Sequence, residues 1–173
     1  IPFVFMAGDL KVNGRDTSGT RTGFGDSRLR VGVNIFGSPA LAPKDFMKFK
    51  EEAVFGASLV VSLPTGQYYD SKIINLGSNR WGFKPEIGFS YGIDRFYLEV
   101  NTGVWFFTAN NHYITNKSFT QDPIYGVQVH TLYTFKSGIW LGVNGNYFYG
   151  GKGYVNDSQL GNPMENSRIG AVL

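Results

Sequence analysis

The chain has 173 residues, of which 17% are charged and 16% aromatic, and 23 of its residues are glycine. Globular proteins average about 25% charged residues and about 7% glycine, so this composition excludes charge-rich disorder and coiled coils and favours β structure. Cysteine is absent and the net charge is only +3, which excludes disulfides and thiolate metal sites and argues against a nucleic-acid partner.

Alternation of apolar residues with small or polar ones predicts about eight β-strands, because a strand exposes successive side chains on opposite faces. No run of 18 apolar residues could form a membrane-spanning helix. The last predicted strand looks cut in mid-course, so we expect one barrel domain over 1–173 that is truncated at one or both ends and belongs to a larger barrel. The predicted strands span 3–12, 28–35, 55–63, 81–92, 96–106, 125–136, 139–149 and 167–173.

The predicted connections alternate in length. Long polar segments occupy 13–25, 65–80, 109–122 and 151–165. Short links lie between them, and the segment 38–52 is expected to contain a helical turn through Asp45, Phe46, Met47 and Phe49. Long loops on one side and tight turns on the other are typical of an outer-membrane barrel.

The first tight turn is predicted at Ile93-Asp94, which would pair Gly92 with Arg95. Even residues of one strand then share a face with odd residues of the next, as their polarity also indicates.

The second tight turn is predicted at Lys136-Ser137-Gly138, a three-residue loop whose glycine would take the left-handed position. This register places His130 beside Asn144, and Gln128 beside Asn146.

The distribution of glycine favours a membrane barrel over a soluble one. Glycine weakens a strand on a solvated face, whereas a crowded lumen needs small residues. The opposite face carries bulky residues that suit lipid, with aromatic ones towards strand ends where interfacial girdles form. The glycines predicted to face the lumen are Gly32, Gly56, Gly82, Gly88, Gly92, Gly103, Gly126 and Gly142.

Four segments resemble a known family, the outer-membrane proteins of the MetA-pathway of phenol degradation. They are Gly25-Asp26, the segment 38–46 (Ser-Pro-Ala-Leu-Ala-Pro-Lys-Asp-Phe), Leu63-Pro64-Thr65-Gly66, and the segment 75–88 (Asn-Leu-Gly-Ser-Asn-Arg-Trp-Gly-Phe-Lys-Pro-Glu-Ile-Gly). The resemblance extends over most of the chain. It implies an outer-membrane location and uptake of aromatic or other hydrophobic compounds, and it supplies no catalytic residues.

The polar face is predicted to line the lumen. One interpretation is a pathway in which charges of both signs select solutes; the other is a network of paired charges and amides that fills the interior, since eight strands leave room only for side chains. Replacing Lys84, Glu86 or Glu99 should alter ion selectivity if the pathway exists. The lumen-facing residues are Arg28, Arg30, Lys84, Glu86, Arg95, Glu99, Gln128, His130, Lys136, Asn144 and Asn146.

The loop from Thr65 to Arg80 is unusually definite in sequence. It could fold inward as a constriction, or it could be a surface turn with its own packing. Arg80, which precedes Trp81, could also be an interfacial anchor. The residues of interest are Tyr68, Tyr69, Asp70, Lys72 and Arg80.

His130 is one of two histidines and raises the question of a barrel enzyme. The predicted registers place no serine or acidic residue beside it, so an interior histidine with satisfied hydrogen bonds is the favoured interpretation. Neither a catalytic residue, a metal site nor a cofactor is predicted.

The sequence therefore predicts an all-β protein, an antiparallel up-and-down transmembrane β-barrel of the Gram-negative outer membrane. The predicted function is a channel or transporter-like protein, not an enzyme, whose partners are outer-membrane lipid and small aromatic or hydrophobic solutes. Two alternatives stay open: a barrel enzyme acting on lipid, and a soluble lipocalin-like carrier with an apolar interior.

Overall fold

The computed structural model describes residues 2–12, 15–46, 53–72, 74–136 and 138–173. Almost all of the regular structure is β, and one short helix, α1 (Pro43–Phe46), lies after the third strand. The strands are β1 (Phe3–Val12), β2 (Arg15–Phe24), β3 (Ser27–Phe36), β4 (Ala53–Leu63), β5 (Gly82–Ile93), β6 (Phe96–Phe107), β7 (Asn110–Tyr113), β8 (Lys117–Gln121), β9 (Ile124–Thr134), β10 (Trp140–Gly150), β11 (Gly153–Val155), β12 (Ser158–Leu160) and β13 (Met164–Val172).

Seven strands form one antiparallel sheet in the order β13-β10-β9-β6-β5-β4-β3, which we call the wall sheet. Neighbouring strands follow one another along the chain, apart from the β7–β8 and β11–β12 hairpins inserted between them. These hairpins form a separate four-stranded sheet. The wall sheet is thus an up-and-down meander with free edges at β3 and β13.

The ends of the wall sheet differ. At the loop end, the strands are joined by the long segments 64–81, 108–123 and 151–163. At the turn end, the connections β5–β6 and β9–β10 are tight.

The prediction for the N-terminal region is wrong in part. The first predicted strand exists as β1, but it pairs with β2 over the register Phe3↔Phe24 to Val12↔Arg15 and not with the wall sheet. The segment 13–25, predicted as a polar loop, contains β2. Polar segments 109–122 and 151–165 likewise contain short strands. Apolar alternation missed β2 because its sequence is largely polar, and it missed β7, β8, β11 and β12 because they are only three to five residues long.

The β5–β6 turn lies one residue later than predicted. Ile93 pairs with Phe96, so Asp94 and Arg95 form the two-residue turn, and Asp94 takes a left-handed φ of 53°. Gly92 pairs with Tyr97 instead of Arg95. The predicted and observed registers differ by an even number, so every side chain keeps its predicted face.

The β9–β10 turn is confirmed. His130 pairs with Asn144 and Gln128 with Asn146, and Gly138 has a φ of +81°. The backbone N–H of Phe135 donates to the carbonyl of Ile139 at 2.7 Å, which closes the loop. Residue 137 lies outside the described residues.

The predicted helical turn is confirmed only as far as Phe46, where α1 ends. The predicted continuation through Met47 and Phe49 lies outside the described residues.

The two faces of the wall sheet are those of a membrane barrel. In β5 the odd, apolar residues are exposed and the even, polar or small residues are half-buried. Val31 is 75%, Phe89 43% and Ile169 87% exposed, and Ile124 is the only fully buried apolar side chain among the described residues. The soluble carrier with an apolar interior is therefore wrong. The predicted aromatic positions Tyr91, Phe96, Tyr125, Phe135, Tyr147 and Tyr149 are all exposed on the apolar face.

No helix in the described ranges has the length and apolar character needed to cross a membrane.

Candidate lumen face and mouth

The polar face of the wall sheet carries its small residues and its hydrogen-bonding side chains. Residues from β3, β4, β5 and β6 line a single depression with a volume of about 350 Å³ on that face. Gly32, Gly56 and Gly88 lie in it, because three neighbouring strands place a glycine there. The predicted lumen glycines therefore create space within the wall.

A row of small and polar residues crosses all seven strands on the polar face, and we call it the amide row. Each member is the cross-strand partner of the next. Its glycines lie on β4 and β5, and its amides on β3, β6, β9 and β10. The row runs Asn34, Gly56, Gly88, Asn101, Gln128, Asn146 and Arg168.

A charged cluster lies beside the depression. Glu86 accepts from Lys84 Nζ at 2.7 Å and lies 3.4 Å from an Arg30 guanidinium nitrogen. Ser58 joins the cluster, since its hydroxyl accepts from Arg30 Nε at 3.2 Å and donates to Glu86 at 3.1 Å. The side chains of Lys84 and Glu86 are only 18% and 12% exposed, whereas that of Arg30 is 63% exposed. One carboxylate thus serves two cations, which leaves positive charge on this part of the lumen face.

A second polar group lies towards the turn end. Asn101 donates to Glu99 at 2.6 Å, and the ring of His130 contacts the Gln128 amide. Glu99 is the cross-strand partner of His130, so the prediction that no acidic residue lies beside this histidine is wrong. The missing information was the β6–β9 register, which a long intervening segment hides from the sequence.

The arrangement around His130 does not form a serine–histidine pair. Ser90 is the partner of Glu99, which in turn is the partner of His130. The serine and the histidine therefore lie two strands apart, about 10 Å at the strand spacing of β-sheets. Nucleophilic catalysis needs the hydroxyl and the base within hydrogen-bond reach.

Two residues predicted for the polar face lie in turns, and one residue of that face was missed. Arg95 and Lys136 are exposed and belong to the two tight turns. Arg95 was misplaced because the β5–β6 turn was predicted one residue early. Arg168 was missed, although it is the partner of Asn146 in β13, because the predicted last strand was not assigned a register. Arg28, Arg30, Lys84, Glu86, Glu99, Gln128, His130, Asn144 and Asn146 all lie on the polar face.

At the loop end, Asp26 ties the corner between β2 and β3 to the segment 64–81. One carboxylate oxygen accepts from the backbone N–H of Gly66 at 3.0 Å. The other accepts from the backbone N–H of Ser78 at 2.8 Å and from its hydroxyl at 2.6 Å. Asp26 thus joins three of the sequence segments that carry the family resemblance.

The backbone crosses itself at this corner. A Cβ on Gly77 would lie 2.7 Å from the carbonyl carbon of Gly66, and a Cβ on Gly66 would lie 2.7 Å from Cα of Gly77. At each of these two positions, the backbone of the other glycine occupies the space that a side chain would need, so only glycine fits.

Asn110 holds the segment 64–81 against β7. It is only 2% exposed, accepts from Asn79 Nδ2 at 2.9 Å and donates to the Tyr68 hydroxyl at 2.9 Å. That hydroxyl donates to the carbonyl of His112 at 3.0 Å. Because the Asn110 amide is fully buried, these bonds supply the partners that a buried polar group requires.

Arg80 is wedged between the wall sheet and the four-stranded sheet. Its guanidinium lies 4.3 Å above the ring of Phe107 and 4.9 Å from that of Phe119. Nη2 donates to Gln121, and Nη1 is buried without a hydrogen-bond partner among the described residues. Burial lowers the pKa of Arg80 to about 10, and the nearby charge of Asp26 opposes that shift. Arg80 is therefore a cation at neutral pH.

The contacts of the segment 65–80 favour the alternative in which this loop has its own packing. Tyr68 is bonded to β7, and the ring of Tyr69 lies 4.7 Å below the guanidinium of Arg21 on β2. The loop is thus packed between the β1–β2 and β7–β8 hairpins. Arg80 is not an anchor above Trp81, because its guanidinium covers the inward-facing ring of Phe107.

Beneath Arg80, a cavity of about 760 Å³ opens at the loop end of the polar face, and we call it the mouth cavity. Trp105 and Phe107 stack 5.9 Å apart along one side of it. The Arg28 guanidinium lies 5.4 Å from the Trp105 ring, and Lys84 Nζ lies 5.8 Å from the same ring. The lining residues include Val4, Asp26, Arg28, Leu76, Arg80 and Ile124.

Comparison with known proteins supports the fold of the wall sheet. The family model described as "Putative MetA-pathway of phenol degradation" matches residues 1–172. No curated protein matches the chain in sequence. Among solved structures, an outer membrane channel from Pseudomonas putida F1 is similar, with a TM-score of 0.70 and 20% sequence identity; the match covers 96% of this chain and 60% of that chain. The chain thus spans about 60% of the length of that channel, and the likeness establishes the transmembrane β-barrel fold.

Proposed function

The chain belongs to the family of the MetA-pathway of phenol degradation, and from this premise we propose that it forms the wall of a passive channel in the outer membrane. The observation that carries the proposal is the inverted sheet. Its apolar face is exposed, as lipid requires, and its polar face carries the amide row and the charged cluster. A protein that turns hydrogen-bonding groups inward and apolar groups outward is suited to pass solutes through a membrane.

The finer part of the proposal concerns the solutes. We propose uptake of aromatic or other hydrophobic compounds, and the family description, which names phenol degradation, supports the aromatic part of this proposal. The lumen face has stacked aromatic rings at the mouth and polar groups below them. These surfaces suit a solute with an apolar body, which contacts the rings, and a polar group, which contacts the polar side chains.

Planar-bilayer conductance tests the channel directly. The reconstituted protein should conduct above the lipid background. Glu99→Gln should shift the reversal potential in a salt gradient towards anion preference, and Lys84→Gln towards cation preference, because each removes one fixed charge from the lumen face. Glu86→Gln should also favour anions, since it leaves Lys84 and Arg30 without their shared carboxylate.

Asp94→Asn is the matched control, because it removes one carboxylate from an exposed turn outside the lumen face. Its reversal potential should equal that of the unchanged protein. Absence of conductance, or three lumen variants that behave like the control, would contradict the channel.

A further inference from the structure

The mouth cavity contains two guanidinium groups that form no ion pair within the described part of the chain. The ion pairs of the lumen face belong to Arg30, Lys84 and Glu86. Arg28 is exposed, and its guanidinium lies against the Trp105 ring. Nη2 of Arg80 donates to the neutral amide of Gln121, and the buried Nη1 has no hydrogen-bond partner among the described residues.

Asp26 is the carboxylate in the lining of the mouth cavity, and it is already engaged. Both of its oxygens accept hydrogen bonds from Gly66 and Ser78. Two cations therefore outnumber one carboxylate whose acceptors are occupied. The cavity therefore has a net positive charge, and the guanidinium of Arg28 within it is exposed. Under these conditions an added anion gains charge-assisted hydrogen bonds.

Apart from Ser62 and Ser78, the uncharged part of the lining is apolar or glycine. Leu76 comes from the segment 64–81, Ile124 from β9, and Trp105 with Phe107 from β6. A cavity of about 760 Å³ falls within the range of about 300–1,000 Å³ that is usual for small-molecule sites, which combine apolar walls with a few polar groups. An inorganic anion would leave these walls without contacts, whereas an apolar body would bury them.

We propose that the mouth cavity is a binding site for small carboxylates that carry an apolar body. The carboxylate lies between Arg28 and Arg80, and the apolar body packs against Leu76, Ile124 and the Trp105–Phe107 pair. This inference deepens the proposed function, because it names the class of solute that the channel captures at its loop end. The capture concentrates the solute above the amide row.

Binding of benzoate, compared with its neutral counterpart benzamide, tests the site. Isothermal titration of the full chain in detergent, at constant ionic strength and with empty micelles subtracted, should show benzoate binding at least about tenfold more tightly than benzamide, since loss of charge-assisted hydrogen bonds costs that factor. Arg80→Gln and Arg28→Gln should each lower benzoate affinity by about tenfold. Benzamide affinity should stay unchanged.

Arg95→Gln is the matched control, because it removes the same charge at the turn end. Should Arg80→Gln fail to fold, Arg28→Gln decides alone, since Arg28 is exposed and its guanidinium lies against the ring of Trp105. The proposal is overturned if benzoate fails to bind, if it binds no better than benzamide, or if the mouth variants lose no more affinity than Arg95→Gln. Conductance separates the two proposals. A protein that conducts but does not bind benzoate refutes the binding site and is compatible with the channel. A protein that binds benzoate but does not conduct refutes the channel and is compatible with the binding site.

Discussion

The loop end and the turn end of the wall sheet are stabilised by different kinds of contact. At the turn end, Asp94 and Arg95 join β5 to β6, and the hydrogen bond from the Phe135 N–H to the Ile139 carbonyl closes the connection between β9 and β10. At the loop end, side chains connect segments far apart in sequence: Asp26 binds Ser78, and Gln121 donates to the carbonyl of Gly151 at 2.8 Å. The cations and aromatic rings of the mouth cavity lie at the loop end, where side chains connect distant segments.

The comparison teaches how a membrane wall gains a specific site. The inner strands of the wall, β4, β5, β6, β9 and β10, satisfy their backbone groups through the ladder on both sides, as lipid demands of any sequence. This leaves little scope for specificity except in side chains that point inward. The loop end adds a second layer, in which Asn110 and Asp26 fix the segment that carries Arg80. Binding groups on loops are effective only when such a scaffold holds them in place.

The largest effect is expected from a clash at the crossing of the backbone. Gly77→Ala places a Cβ 2.7 Å from the backbone of Gly66, and overpacking of this kind costs about 3 kcal/mol of unfolding free energy. Thermal unfolding in detergent, followed by circular dichroism, measures the loss. Gly145→Ala is the control, because nothing lies within 4 Å of the added Cβ. Equal stability of the two variants would contradict the interlocked corner.

A smaller loss is expected when the carboxylate of the corner becomes an amide. Asp26→Asn replaces one of the two acceptor oxygens by an NH2 donor, so either the N–H of Gly66 or that of Ser78 loses its acceptor, at a cost of about 2 kcal/mol. Asp94→Asn makes the same change at the turn end, where the side chain is exposed, and should alter stability by no more than about 0.5 kcal/mol. Denaturant titration of both variants measures the difference, and the comparison between the ends fails if the losses match.

The smallest of the three effects belongs to the turn end. Gly138 has a φ of +81° and nothing within 4 Å of its Cβ position, so Gly138→Ala incurs only the left-handed backbone cost of about 1 kcal/mol. The same thermal unfolding assay measures it. A loss as large as that of Gly77→Ala would mean that the turn end is also restrained by contacts, and the contrast between the ends would disappear.

The faces of the wall strands could be predicted because alternation is a local property. Phe89 and Val31 are exposed and Lys84 and Glu86 are shielded, as their positions in the pattern indicate. Even the misplaced β5–β6 turn left these faces unchanged. Pairing slips by two residues preserve the face of every side chain, so the prediction tolerates this error.

The candidate site was only partly predictable. Lys84, Glu86 and Glu99 lie on the face that their spacing assigns, but the prediction missed Arg168 and placed Arg95 in the lumen. The partner of His130 depended on the register across a long inserted hairpin, which follows no local rule. Arg80 was singled out, yet its place above Phe107 depends on contacts with Gln121 and Phe119.

The sequence by itself determined that the chain builds an antiparallel sheet with a lipid-facing side and a polar side, because a period of two is written into each strand separately. Only the tertiary structure decided what closes the loop end. There Gly66 meets Gly77, Asp26 meets Ser78, and Asn79 meets Asn110, from segments that no periodicity relates. Such contacts form when distant backbone segments are brought together in space, and their geometry depends on all of the segments at once.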